Sequence, residues 1–181
     1  MDKLKFEDQI RELYGRTVYT HKCHAKMADQ CLSKFDTAKK LKLFLTALTG
    51  SGAVGVVFAD EKLLEVAVAL IALATLYWTA YLKDFDLGVL AQRHREAAAR
   101  IWPVRESYQS LLVDLDYKPI EELVVKRDEL QGELAEIYSS VPQTNDKAYK
   151  AAQKGLKDNG ELSFSDKEID DLLPAALRRS P

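Results

Sequence analysis

At 181 residues the chain has room for one domain, or for an apolar hairpin carrying one or two small appendages. Its 26 Lys and Arg against 28 Asp and Glu leave a net charge of −2. That balance lacks the basic footprint of a nucleic-acid binder, so no direct nucleic-acid partner is expected.

Residues 1–40 read as an N-terminal cytoplasmic helix. The opening MDKLKFEDQIRELYGR has no apolar core and no cleavage site, so no secretory signal is expected. Leu4 to Lys40 contains no proline. Phe6, Ile10, Leu13, Thr17, His21, His24, Ala28, Cys31, Phe35 and Ala38 follow at steps of three or four, which is one face of a helix. Gly15, worth roughly 1 kcal/mol against alanine, is expected to separate a short first helix from a longer one running into the first apolar run. His21, Cys23 and His24 form the group HKCH. Zinc needs four convergent donors, or three and water, and no second pair accompanies these. They are expected as half-buried seam residues, with no metal or other cofactor. Cys23 and Cys31 fall on the side read as cytoplasmic, where a structural disulfide is not expected.

Residues 41–82 read as a transmembrane hairpin, with spans 41–59 and 63–82 and an outer turn at 60–62. Leu43 to Ala59 and Val66 to Leu82 are each seventeen residues without a charge. As helices each covers roughly 26 Å, and the bilayer core is about 30 Å thick. Lys42 can snorkel to make up part of the difference. Lys34, Lys39, Lys40 and Lys42 precede the first run and Lys83 follows the second, whereas Lys62 sits among Asp60, Glu61 and Glu65. The positive-inside bias puts both termini in the cytoplasm of a multi-pass inner-membrane protein. Lys42, Tyr77, Trp78, Tyr81 and Lys83 are the expected interfacial anchors. Ala47, Ser51 and Gly55 repeat every four residues, so they are candidates for close helix packing in lipid, within the hairpin or between copies. Thr46, Thr49 and Ser51 are candidate pore-lining residues. No charge sits in the centre of either run, which removes the usual sign of a proton relay.

Residues 83–116 read as a cytoplasmic stalk helix. Leu87, Leu90, His94, Ala97, Ile101, Val104, Tyr108, Leu111 and Leu115 step three and four in turn, an unbroken heptad seam. Pro103 lies within it and is expected to kink the helix without ending it. Folding back near Lys62 sets residues summing to about 124 level with each other. The expected seam therefore pairs Phe35 with Leu90, Cys31 with His94, and Ala28 with Ala97.

Residues 117–181 read as a helical tail. Pro119 opens a helix to about Ser139, a polar helix covers Asp146 to Lys157, and Ser165 to Glu168 forms a capping box for a last helix bearing Ile169, Leu172, Leu173 and Leu177. That last segment is expected to dock on the stalk or to meet a partner. The fold class is thus all-α: a two-span transmembrane hairpin, extended by a long antiparallel coiled-coil-like stalk, with short C-terminal helices.

No nucleophile elbow, HExxH, CxxC pair or phosphate loop occurs. GSGAVG at Gly50 follows no strand and lies in an apolar run. The chain is not read as an enzyme.

The long first helix, the hairpin with its minimal turn and the charged segment AQRHREAAARIWPVRESYQSLLVDL resemble the SLATT domains. The closing SFSDKEIDDLLPAALR is similar to the tail of one branch. The resemblance runs from about Leu13 to Arg179; what matches is the Tyr14 to Phe35 helix, the hairpin and His94 to Ala97. It implies a two-span effector of a prokaryotic anti-phage or conflict system, without catalytic residues. Such an effector oligomerises and permeabilises the inner membrane when a sensor partner is triggered. The neighbours implied are a nucleotide-second-messenger synthase, a sensor protein or a reverse transcriptase. The alternatives are a non-conducting membrane anchor presenting a coiled coil, and a soluble helical bundle.

Overall fold

Between Leu4 and Phe58 there is no proline, and Gly15 is a single interruption in good helix formers. The chain accordingly forms one helix, α1, over Lys3–Phe58, about 84 Å long at 1.5 Å per residue. Gly15 does not divide it. In the computed structural model, which describes residues 2–58, 62–84 and 86–179, five more helices follow: α2 (Lys62–Asp84), α3 (Leu87–Asp114), α4 (Ile120–Ser140), α5 (Asp146–Lys157) and α6 (Asp166–Leu172), with a final 3-10 turn at Ala175–Leu177. Among the described residues there is no strand. The expected outer turn at 60–62 lies outside the described residues except for Lys62, which already belongs to α2.

The apolar character of α1 changes along its length, and its neighbours change with it. Its upper part lies beside α2. Its lower part packs on α3 and α5, and α3 in turn packs on α4. Contacts pair Phe35 with Gly88, His21 with Trp102, and Lys3 with Asp116, so α1 and α3 run in opposite directions. The core is the meeting of three seams: Phe6 and Ile10 of α1; Ile101, Val104, Tyr108 and Leu111 of α3; and Leu123, Leu130, Leu134 and Ile137 of α4. Pro103 sits inside α3 and does not end it.

The helix ends are set by local chemistry. Asp86 accepts the Val89 amide at 2.9 Å and starts α3 at Leu87, after α2 has ended at Asp84. Asn145 caps α5 by accepting the Ala148 amide at 2.8 Å. Ala148 and Ala152 are fully buried, so the small face of α5 lies close against α1. Ser165 and Glu168 form the reciprocal capping box of α6. No residue of α6 is buried, and Leu172 and Leu177 stand out into solvent. The last helix therefore does not cover α1 or α3.

The segment before α6 is fastened instead by Glu161. Its carboxylate pairs with Lys22 and, at 3.0 Å, with Lys26 of α1. These bonds hold it near pKa 2, below the usual 4.5. A depressed carboxylate stabilises the fold above its unfolded pKa and loses that contribution as pH falls toward 2. Glu161→Gln is expected to weaken the fold by under about 1 kcal/mol, since the pairs are partly exposed. Amide exchange across 158–163 should rise while exchange in α3 stays unchanged.

Candidate functional site

The apolar runs of α1 and α2 are exposed along most of their length. Among the described residues, one helical stretch, beginning at Lys62, is long and apolar enough to cross a membrane by length and composition, and 0 % of its apolar window is buried. A soluble core helix would hide such a surface, which leaves lipid or other copies as its cover. Leu70, Leu73 and Leu76 of α2 and Leu43, Phe44 and Val54 of α1 are all exposed.

Where the two helices meet, the contact is built from small residues. A Cβ added to Gly52 would stand 2.7 Å from Val68 Cγ2, so only glycine fits there. Thr49 and Thr75 bring their hydroxyls to 3.4 Å, each also donating to its own helix, to Leu45 and Ile71 respectively. Gly55 faces Leu64 with ordinary clearance. Ala47 and Ser51 do not share this contact. Both are exposed, and the Ser51 hydroxyl donates back to the Ala47 carbonyl at 3.0 Å.

The three candidate pore-lining residues consequently fall apart. Thr49 turns toward α2 while Thr46 and Ser51 are exposed. At 100° per residue Thr49 and Ser51 are about 200° apart on the helix, so one face cannot hold them both.

At the base of the apolar runs the Trp78 indole N–H donates to the Ala38 carbonyl at 3.1 Å, and Trp78 stacks on Tyr81 at 5.6 Å. Tyr77 is exposed, Lys42 is half-buried and Lys83 is exposed. Tyr77, Trp78 and Tyr81 lie within about one turn of α2, which suits amphipathic side chains at a headgroup layer.

Below that level lies the seam. Ala28, Cys31, His94 and Ala97 are buried; Phe35 and Leu90 are half-buried. Phe35–Gly88 and His21–Trp102 both sum to 123, one short of the expected level. Phe35 lies against Gly88, and His94 meets His24, with Nδ1 to Nδ1 at 2.9 Å. The bond needs at least one neutral ring to accept, and burial lowers both pKa values, which favours the neutral pair with one Nδ1–H donating. His94 Nε2 is buried without a partner. The tautomer that leaves a bare lone pair there, and not an orphaned N–H, has His94 Nδ1–H donating to His24. Burial, then the neighbouring His94, holds His24 near pKa 4; burial, then Arg105, holds His21 there too. His21 lies edge-on to Trp102 at 5.2 Å. Among the described residues no group of three His, Cys, Asp or Glu is placed to hold a metal. Cys23 and Cys31 are both buried and free, their thiols pushed upward by burial.

Sequence reasoning missed the histidine pair and Gly52. The heptad steps contained His24 and His94, but their contact depends on the register. Gly52 sits between Ser51 and Ala53 with nothing to mark it as the point of closest approach.

No curated relative and no solved structure matches the chain. The profile of the SMODS and SLOG-associating 2TM effector domain family 4 matches residues 6–168, nearly the whole chain. With an exposed apolar helix above a helical seam, and a match of that extent, this chain belongs to the SLATT family of two-transmembrane effector domains, whose members are membrane effectors of conflict systems.

Proposed function

We propose that the protein is a two-span membrane effector that oligomerises into a pore when a cytoplasmic sensor partner engages its helical base. In this reading the apolar parts of α1 and α2 cross the inner membrane side by side, with both tails in the cytoplasm. The observation that carries it is the division of labour in α1. Gly52 and Thr49 serve the contact with α2, which leaves Ala47 and Ser51 as a small, exposed strip free to pack against another copy. Ser51 is the hydroxyl of that strip available to an aqueous path between copies, while Thr46, also exposed, lies on another side of α1. Backbone groups stay satisfied because the described membrane residues are helical. α1 is also the continuous link from the base to the membrane, so a shift of its lower half reaches the upper half without an intervening joint. A partner encoded with this chain, a nucleotide-second-messenger synthase or a sensor, supplies the trigger.

The test is dye release from liposomes holding the purified protein and its partner. Ser51→Leu is expected to reduce release several-fold while membrane insertion and the α1–α2 contact persist. Release unchanged by Ser51→Leu rejects the inter-copy face. A triggered oligomer that never releases dye supports the non-conducting anchor instead.

A further inference from the structure

A cleft of about 320 Å³ lies where α1, α5 and the 158–163 turn meet. Tyr14, Val18, Leu156 and Leu162 give it apolar walls, and Arg105 of α3 and Lys157 of α5 also line it. Three features set it apart from an accidental gap.

The first is Arg105. The residue is only 6 % exposed, and its Nε and Nη1 are buried without a hydrogen-bond partner among the described residues. Its guanidinium lies over the Trp102 ring at 4.3 Å, and its Nε is 3.5 Å from Glu106, an ion pair without a hydrogen bond. A buried guanidinium with unmet N–H groups favours an anion beside it. The second is Leu162, at φ 71°, the one non-glycine residue in the left-handed region among the described residues. Strain of that kind collects where a chain is shaped around a ligand. The third is Gly15. A Cβ there would meet nothing within 4 Å, so the floor of the cleft is open.

Glu161 does not fill the role of the anion. Its carboxylate is taken up by Lys22 and Lys26, and it packs so close to Gly155 that an added Cβ would lie 2.9 Å from it. The roof is thereby tied down, and of the charged residues lining the cleft Glu161 is paired with Lys22 and Lys26 while Arg105 and Lys157 supply the positive charge.

We infer that this cleft binds a small diffusible organic anion, with one phosphate or carboxylate group on Arg105 and a flat or aliphatic body against Tyr14, Val18 and Leu162. A membrane lipid does not serve as the source. Val18 is roughly 30 Å along α1 from Ala38, the level at which Trp78 is anchored. The inference stands apart from pore formation, since it concerns binding to the helical base alone.

Calorimetric titration of the full chain in lipid nanodiscs tests it, with 1-naphthyl phosphate as the probe, inorganic phosphate as the charge-only control and empty nanodiscs as the lipid control. The expected result is saturable binding of one 1-naphthyl phosphate per chain, with inorganic phosphate at least about tenfold weaker. Arg105→Met, which removes the charge, and Gly15→Leu, which fills the floor without touching Arg105, should each weaken binding at least about tenfold at unchanged helical circular dichroism. Should Arg105→Met fail to fold, Gly15→Leu decides. Absence of saturable binding above empty nanodiscs, or a Gly15→Leu titration that matches the parent, overturns the inference.

Discussion

Replacing Gly52 with leucine is expected to drive α1 and α2 apart. The Cβ alone would overlap Val68 Cγ2 at 2.7 Å. Valine in a helix has one strongly preferred rotamer, so its methyl cannot swing clear. Overpacking of this sort costs about 1–3 kcal/mol even where neighbours relax, and here the relief open to the pair is separation of the helices. The readout is a Thr49→Cys, Thr75→Cys pair in a Cys23→Ala, Cys31→Ala background. The two hydroxyls now stand 3.4 Å apart, so the introduced thiols should oxidise readily. Gly52→Leu should slow that crosslink about tenfold or more. Gly50→Leu, two residues away at a position with nothing within 4 Å, should leave it unchanged. Equal crosslinking in the two variants would mean that Gly52 is not the point of closest approach.

The second large effect is on pH. His24 is buried and held near pKa 4, below its ordinary 6.5, chiefly by burial and then by His94 and His21. A histidine whose folded pKa is lowered stabilises the fold in full above 6.5 and loses that contribution as pH falls toward 4. For His24 alone the loss is about 3 kcal/mol over that window. His21 shifts the same way, with Arg105 and Lys22 as the cations that oppose its protonation, and His94 is lowered by burial. Protonating both members of the pair also sets two Nδ1–H groups against each other at 2.9 Å. Melting followed by circular dichroism should show Tm falling by several degrees between pH 7.5 and 5, above the range in which ordinary carboxylates titrate. The His24→Leu, His94→Leu double variant should flatten that dependence. If its Tm falls as steeply as the parent's, the histidine pair is not the cause.

Much of the secondary structure is legible in the sequence because it is fixed by neighbours in the chain. Asn145 and the polar run behind it mark a helix from Asp146 to Lys157, and Ser165 with Glu168 marks the head of α6. Pro103 could be placed inside a helix because the three-and-four steps continue through it. What depends on distant contacts was not legible. The meeting of His24 with His94 depends on how α1 and α3 pack, which no local pattern states. Small-residue spacing singled out Ala47, Ser51 and Gly55 together, but only the position of α2 shows that Gly52 and Thr49 face it while Ala47 and Ser51 do not. Arg105 lies one place off the heptad seam, where a charged residue ordinarily reaches solvent. Its burial comes with the Trp102 ring one turn earlier, over which the guanidinium lies. The exposure of α6 was equally hidden, since an amphipathic pattern states that a face wants cover without naming the cover.

The central claim is that the apolar parts of α1 and α2 cross a bilayer together and leave both tails on one side. Single cysteines at Lys5, Lys62 and Lys167, in the background free of Cys23 and Cys31, test it in intact spheroplasts with a membrane-impermeant maleimide. Lys62→Cys should label from outside, whereas Lys5→Cys and Lys167→Cys should label only after permeabilisation. Recovery of the chain in the soluble fraction without detergent, or a Lys62→Cys thiol reached only after permeabilisation, would contradict the account.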